Sequence, residues 1–589
     1  MLKEYRPNRR EVVQHTAVAT AAAIGAAHLP ALRSMTSAQL ARNETLYTAG
    51  FQWGPPTSFN PISPSAPTNW PVQTSFPHLY EQLFMFNILS GELEPLLASE
   101  MTWEDDYSAV TVKLQEGTAF SDGTPLTADD VVFSYNLPQS VDGLPYSGIT
   151  RYVSAVEMVD ERTVKLVCEA EVNNPGMVNV YLQSIPIMPK HIWEPLMEET
   201  ANGGEAITAI IDMEPVGSGP YKIDLASAQQ IVLIRNDEYW GNEIHGQPVP
   251  KYLVHPIPAS NDDANLAFSR GDIDLSQTFL PQVWKIWEEQ EMPAGTWFKD
   301  QPYHVPGAIP ALQINISRPG LDNKLVRRAL AYSINYAQIA ETAMSRYSSP
   351  MQPSLIIPDG AELEFFDEEA AKETGWEYNP EEAKRILEED LKATKGDDGV
   401  YVLEDGTRLG PWKVMCPYGW TDWMTALELV VQGGNEVGFD LATDFPEAPV
   451  RMTNQQNGDF DFSLHSYAGV SPAGPWLRLS NTMDSRDVPA MGQTAFTNFN
   501  RFSNPDAEAL LDQIPAEADP AKRKELYTQL DNIYRDEIPC IGLMYRPFQF
   551  FEFNEMHWKG FPTSENDYAP PMHQGAGIKI LSKIEPTGA

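Results

Sequence analysis

The 589-residue chain carries 81 acidic against 41 basic residues, a formal net charge of −40. A surface this negative repels phosphate backbones and anionic membrane faces, which speaks against nucleic acid as a partner. The length calls for two or three domains, and 42% hydrophobic residues with 14 Trp, 23 Tyr and 24 Phe supply large cores, which speaks against a disordered chain. Acidic residues are scattered along the whole chain, a pattern expected of adaptation to high salt, where charge repulsion is screened; an ordinary acidic secreted protein is the plainer account.

From the start of the chain, Arg9-Arg10 precedes the short Ala-rich run Ala17–Ala27. This resembles a twin-arginine export signal, with cleavage near Ala27 or Ala38. Residues 1–43 are therefore expected to be signal and linker, and the protein to be exported by that pathway to an extracellular or cell-surface location. The run is far short of the ~20 apolar residues a membrane span needs. No cysteine follows it to carry a lipid.

Next come Leu46–Phe51, a strand rich in β-formers, and a Pro-punctuated loop holding Trp53, Asn69 and Trp70. Val110–Leu114 alternates as a half-buried strand. After it a turn at Asp122–Pro125 leads to a helix with Thr127 as N-cap and Asp129 and Asp130 in its first turn, where the helix dipole favours negative charge. Val164–Val167 and Gln230–Ile234 read as strands. Helices are predicted over Asn323–Ala343, over Pro380–Leu391 with Asn379 as cap, and over Pro520–Glu537 with Asp519 as cap. Val400–Val402 reads as a short hairpin strand. Cys168, Cys416 and Cys540 are few and far apart, so neither a disulfide framework nor a zinc site is indicated; they are expected to be small buried hydrophobes. No cofactor and no metal are expected.

The stretch Val110–Tyr135, VTVKLQEGTAFSDGTPLTADDVVFSY, carries a resemblance. It is similar to family 5 of the extracellular solute-binding proteins, the oligopeptide- and dipeptide-binding group of ABC importers. Weaker blocks follow in the family's order: Ile187–Trp193, Val216–Tyr221, Arg235–Trp240, Gly271–Asp274, Asn315 with Val326–Leu330, Tyr378–Ala383 and Gly458–Phe462. Most of these blocks are structural. Gly217-Ser218-Gly219-Pro220 is a tight connection and not a phosphate loop, because Tyr221 stands where that motif needs Lys.

The resemblance implies an α/β, two-lobed periplasmic-binding-protein-like fold, with mixed sheets flanked by helices and a hinge between the lobes. Residues 44–87 with 215–305 and 546–589 would form the first lobe, 88–214 an extra subdomain of it, and 306–545 the second lobe. The implied partners are a small-molecule ligand and the transmembrane subunits of an ABC permease, with the receptor a monomer.

An enzyme is not expected. The chain has no G-x-S-x-G, H-E-x-x-H, Walker loop or G-x-G-x-x-G after a strand. A secreted glycan-active enzyme remains the remote alternative, since two carboxylates facing each other across a cleft leave no sequence motif. His191 and His465 read as packed or exposed, not as ligands.

For the cargo, peptide-binding members of the family typically carry an acidic residue that pairs with the peptide's α-ammonium. In this chain the corresponding segment, His465–Trp476, has no carboxylate. Aromatics gather instead in the loops expected to line the cleft, where flat rings stack on sugar faces and polar side chains bond hydroxyls. The candidate ligand-binding residues are therefore Trp53, Asn69, Trp70, Trp420, Asp422, Trp423, Tyr467 and Trp476. The Ser471–Trp476 segment and the tail Trp558–Pro570 are similar to the family's oligosaccharide-binding branch. An oligosaccharide is the expected ligand, a peptide the alternative, and nickel or another small solute the remainder.

Overall fold

Strand-forming runs far apart in the chain are gathered into three main sheets. The computed structural model describes residues 40–50, 55–63, 78–202, 206–571 and 576–588, so the expected twin-arginine motif lies outside the described residues. In chain order, the strands that build the three sheets are β1 (Thr45–Ala49), β2 (Ala98–Trp103), β3 (Ala109–Leu114), β4 (Val153–Asp160) and β5 (Thr163–Cys168). They continue with β6 (Tyr221–Ala226), β7 (Gln230–Arg235), β8 (Tyr252–Pro256), β9 (Leu275–Ser276), β10 (Ala294–Gly295) and β11 (Pro310–Ile314). The last are β12 (Trp412–Met415), β13 (Leu441–Asp444), β14 (Phe462–Ser466), β15 (Cys540–Gly542) and β16 (Glu552–Asn554).

One lobe holds a seven-stranded mixed sheet, ordered β10-β16-β9-β1-β8-β7-β6, and the other a five-stranded one, ordered β13-β12-β14-β11-β15. A four-stranded antiparallel sheet, β2-β3-β5-β4, forms the extra subdomain. The position of each strand explains its sequence. Central β11 is buried at every residue and reads as Pro-Ala-Leu-Gln-Ile with no charge, whereas β5, in the subdomain, alternates buried and half-buried positions as its Thr-Val-Lys-Leu-Val-Cys pattern predicts.

The helices α1 (Ala128–Asn136), α2 (Pro175–Leu182), α3 (Lys324–Ser333), α4 (Thr421–Val437), α5 (Ala448–Asn457) and α6 (Pro520–Glu537) flank these sheets. At the start of α1, Asp130 accepts the backbone N–H of Thr127 at 2.9 Å and that of Lys190 at 3.0 Å. One family block is thereby tied to the next. Asn379 and Asp519 cap as predicted, accepting backbone N–H groups of Glu382 and of Ala521 and Lys522. The helix predicted over Asn323–Ala343 is interrupted. Ile334 is extended, and Asn335 starts a new turn by accepting the N–H of Gln338, local bonding that competes with a continuous helix. The Pro380 helix keeps α winding to Arg385 and relaxes to a π turn over Ile386–Asp390. The hairpin strand is Tyr401–Val402, paired with Thr394–Lys395.

Apolar burial runs continuously between the two lobes. Leu46, Leu253 and Leu275 of the seven-stranded sheet share one core with Leu312, Phe462 and Leu464 of the five-stranded sheet, through Phe550 and Phe551 of the returning chain. The subdomain has its own core around Val110, Tyr135, Leu166 and Trp193. The two chain crossings between lobes pair with each other: Gly307 N–H donates to Arg546 O, and Arg546 N–H to Ala308 O, each at 2.9 Å.

The Gly217–Pro220 block is structural, and its glycines are explained by approach distance. A Cβ at Gly217 would be driven into the carbonyl oxygen of Leu79, and one at Gly219 into that of His78. Backbone cannot retreat as a flexible side chain can. Gly217→Ala is therefore expected to destabilise by ~3 kcal/mol or more, read as a lower urea midpoint; an unchanged midpoint would refute this reading of the block.

Candidate ligand-binding site

In open α/β sheets, ligands settle beyond the carboxyl ends of the parallel strands, where helices begin. β12 is parallel to both β13 and β14, and α4 and α5 start on that carboxyl edge, shortly after β12 and β13. In the first lobe β1 is parallel to β8 and β9, and its carboxyl end is Ala49–Gly50.

Trp420 caps α4 and is 47% exposed, while Trp423, one turn on, is 5% exposed. Their rings meet edge to face, centroids 4.8 Å apart at 71°. The Trp423 indole N–H is buried with no acceptor. Between them Asp422 is buried and accepts from Arg546 Nε at 2.9 Å, and the Arg546 guanidinium lies 4.4 Å from the centre of the Phe550 ring. The aspartate expected to bond ligand hydroxyls thus spends one carboxylate oxygen on Arg546. That pair ties the site helix to the crossing between lobes.

Tyr467, at the end of β14, stacks on Phe499 with centroids 5.5 Å apart at 10°, and its hydroxyl accepts the Phe499 N–H at 3.2 Å. Burial raises its phenol well above the ordinary range. His465 stands edge-on to both rings at 4.7 and 4.9 Å. Burial, and then the nearby Arg451 cation, push its imidazole down to about 3, so it is neutral and packed. The adjoining loop is held close: the Val470 N–H donates to Gly307 O at 2.8 Å, and a Cβ at Gly469 would lie 2.7 Å from that same oxygen.

Of the eight residues predicted from sequence, Trp420, Asp422 and Trp423 come together at the start of α4. Tyr467 ends a strand on the same edge but serves as packing for Phe499. Trp476 is partly buried and packs: its indole N–H goes to Leu511 O at 2.8 Å, and its ring lies against both the main core and the subdomain core. Trp53, Asn69 and Trp70 lie outside the described residues. Trp558, in the tail noted from sequence, is fully buried and donates to Thr45 O at 2.8 Å.

Sequence reasoning missed two residues. Arg546 finds its carboxylate 124 positions away, a pairing no local pattern signals. Gln277 follows β9 on the carboxyl edge of the first lobe; its N–H donates to Ala49 O at 2.9 Å, and both atoms of its buried carboxamide lack a partner. Its Oε1 lies 3.4 Å from the position a Cβ at Gly50 would take. Buried amides are normally bonded, so an unspent one at a strand end is a group available to a ligand. Among the described residues no group of three or more His, Cys, Asp or Glu is placed to hold a metal ion. Burial pushes the Cys168 and Cys416 thiols up to about 11 and about 12.

Residues 92–485 match the family model described as bacterial extracellular solute-binding proteins, family 5 Middle. The crystal structure of a periplasmic oligopeptide-binding protein of an oligopeptide ABC transporter from Thermotoga maritima is 31% identical, with a TM-score of 0.85 over 93% of this chain and 100% of that one. A mannohexaose-bound structure of that transporter protein is 30% identical, with a TM-score of 0.80 over 94% and 100%. The probable peptide-binding protein YejA of Agrobacterium fabrum is 28% identical over 290 residues, 46% of each chain. This chain thus spans about half the length of that relative and of those matching similarly.

Proposed function

The chain belongs to family 5 of the bacterial extracellular solute-binding proteins, and from that premise we propose that it is the substrate-binding component of an ABC importer whose cargo is an oligosaccharide. The family is made of solute-binding receptors. In this reading the protein works by capture and release, without bond chemistry, as an exported monomer that hands its cargo to a permease.

The observation that carries the sugar reading is the Trp420–Trp423 pair at the carboxyl edge of the five-stranded sheet. One ring is half exposed and the other brings an unspent N–H, which together offer a stacking face and a donor to a hydroxylated ring. The carboxylate that would meet a peptide α-ammonium is missing from His465–Trp476, and Asp422 nearby is engaged by Arg546. A mannohexaose complex of a 30% identical structure supports the same cargo class. The second reading, a peptide, is favoured by that protein's description as oligopeptide-binding.

Calorimetric titration with β-linked oligosaccharides and with di- to pentapeptides separates the two. Trp420→Ala and Trp423→Ala are each expected to weaken sugar binding about tenfold or more, ~1.4 kcal/mol. Peptide binding with no response to any sugar would sink the reading. Undiminished affinity in both variants would move the site elsewhere.

A further inference from the structure

Arg451, in the first turn of α5, is 6% exposed and makes no ion pair among the described residues. Its Nη2 donates to the carbonyl oxygen of Leu464 in the middle of β14, while its Nε is buried with no acceptor. Its guanidinium carbon lies 6.0 Å from the centre of the Trp423 ring. Three nearby carboxylates are occupied, Asp422 by Arg546 at 2.9 Å, Asp461 by Arg318 at 3.2 Å and Asp444 by Lys413 at 3.3 Å, and Glu447 at the start of α5 makes no ion pair with Arg451. The neighbouring His465 is neutral.

A guanidinium buried without a counter-charge costs several kcal/mol, and a chain with 81 acidic residues has no shortage of partners to supply one. Two unspent donors, Arg451 Nε–H and the Trp423 indole N–H, therefore lie near each other on one edge, with a lone cation and the N-termini of α4 and α5. Helix N-termini favour negative charge, and the guanidinium fork matches a planar pair of oxygens. We propose that the ligand bears a carboxylate, which Arg451 and Trp423 receive at the carboxyl edge of the second lobe's sheet. A carboxylate brings one charge to one cation, whereas a phosphate would bring up to two. The proposal rests on the solute-capture reading for the existence of a ligand, and deepens its sugar arm to acidic oligosaccharides such as uronate-bearing ones.

The test is calorimetry on the full chain with a uronate-bearing oligosaccharide, its methyl ester, and a neutral oligosaccharide of the same length. A peptide with a free C-terminus and its amide form the second arm. The acid is expected to bind at least ~10-fold tighter than the ester. R451M should abolish that difference yet unfold, without ligand, at the same or a higher temperature, because it removes an uncompensated charge. R451K, which keeps charge and loses the fork, should fall between. Equal binding of acid and ester by the natural chain, or a preference that survives in R451M, overturns the proposal while leaving a sugar receptor intact. Should only the free-acid peptide bind, tighter than its amide, the carboxylate site stands and the sugar reading falls. A lowered unfolding temperature in R451M, with no acid preference in R451K, would make Arg451 structural and overturn the proposal as well.

Discussion

Glu362→Ala is expected to destabilise the protein by about 3–5 kcal/mol, the cost of leaving a buried charge without its partner. Glu362 is fully buried and Arg478 is 2% exposed. Their contact is bidentate, Nη1 to Oε2 at 2.9 Å and Nη2 to Oε1 at 2.8 Å. Both groups also bond backbone: Glu362 accepts the Ile357 N–H at 2.9 Å, and Arg478 donates to Leu355 O at 2.6 Å and to Ala468 O at 3.0 Å. The last bond reaches the loop that follows Tyr467, so the pair also holds that loop. A second buried pair, Asp531 with Arg535, holds the same segment through Ser354 Oγ and the Leu355 N–H. Urea unfolding of E362A, R478M and the double variant E362L/R478M makes the comparison. The double variant should lose less than E362A, because it leaves no charge behind. A loss below about 1 kcal/mol in E362A would refute the assignment.

The second large effect is a dependence of stability on pH that Glu81 imposes. This carboxyl is fully buried; Oε1 accepts from the Tyr239 hydroxyl at 2.5 Å and Oε2 from the Trp240 indole at 2.8 Å. Burial dominates over these bonds and pushes it up to about 8 from an ordinary value near 4.5. Between those values the folded state holds a proton that the unfolded chain releases. Its stabilising contribution is therefore complete below about pH 4.5 and declines as pH rises to about 8. Glu81→Gln mimics the protonated acid: the carbonyl accepts from Trp240 and the amide donates to the Tyr239 oxygen. The stability of E81Q relative to the natural chain should thus rise by about 1.4 kcal/mol per pH unit up to about pH 8 and stay level beyond it. A flat difference across that range would show that Glu81 is ionised in the fold. His78 and His304 work on the acid side. Burial lowers both to about 4, so the stability they contribute as neutral groups is present above about 6.5 and lost as pH falls.

Much of the molecule could be read without coordinates where the information is local. Asn379 and Asp519 cap their helices because an Asx side chain followed by proline is a self-contained signal, and β3, β5 and β7 form where alternation or a β-branched run says they should. The family was legible for the same reason: turn and cap blocks such as Phe120–Asp130 are short and contiguous. Winding details such as the break at Ile334 were not, since they turn on competition between backbone and side-chain bonds of similar energy.

The site divides along the same line. Sequence alone brought out Trp420, Asp422 and Trp423, which lie within four residues of one another and so share one helix start. It could not tell a tryptophan that faces a ligand from one that spends its N–H inside the protein, as Trp476 does on Leu511. Nor could it assign charges. Whether Asp422 meets a ligand or Arg546, and whether Arg451 has a counter-ion, depends on segments that the chain brings together across more than a hundred residues or across a sheet edge. Local chemistry determined the elements, the family and the aromatic start of α4. Which polar groups are spent and which are left over was decided by the tertiary structure, because a hydrogen bond or ion pair is satisfied by proximity in space and leaves no trace in spacing along the chain.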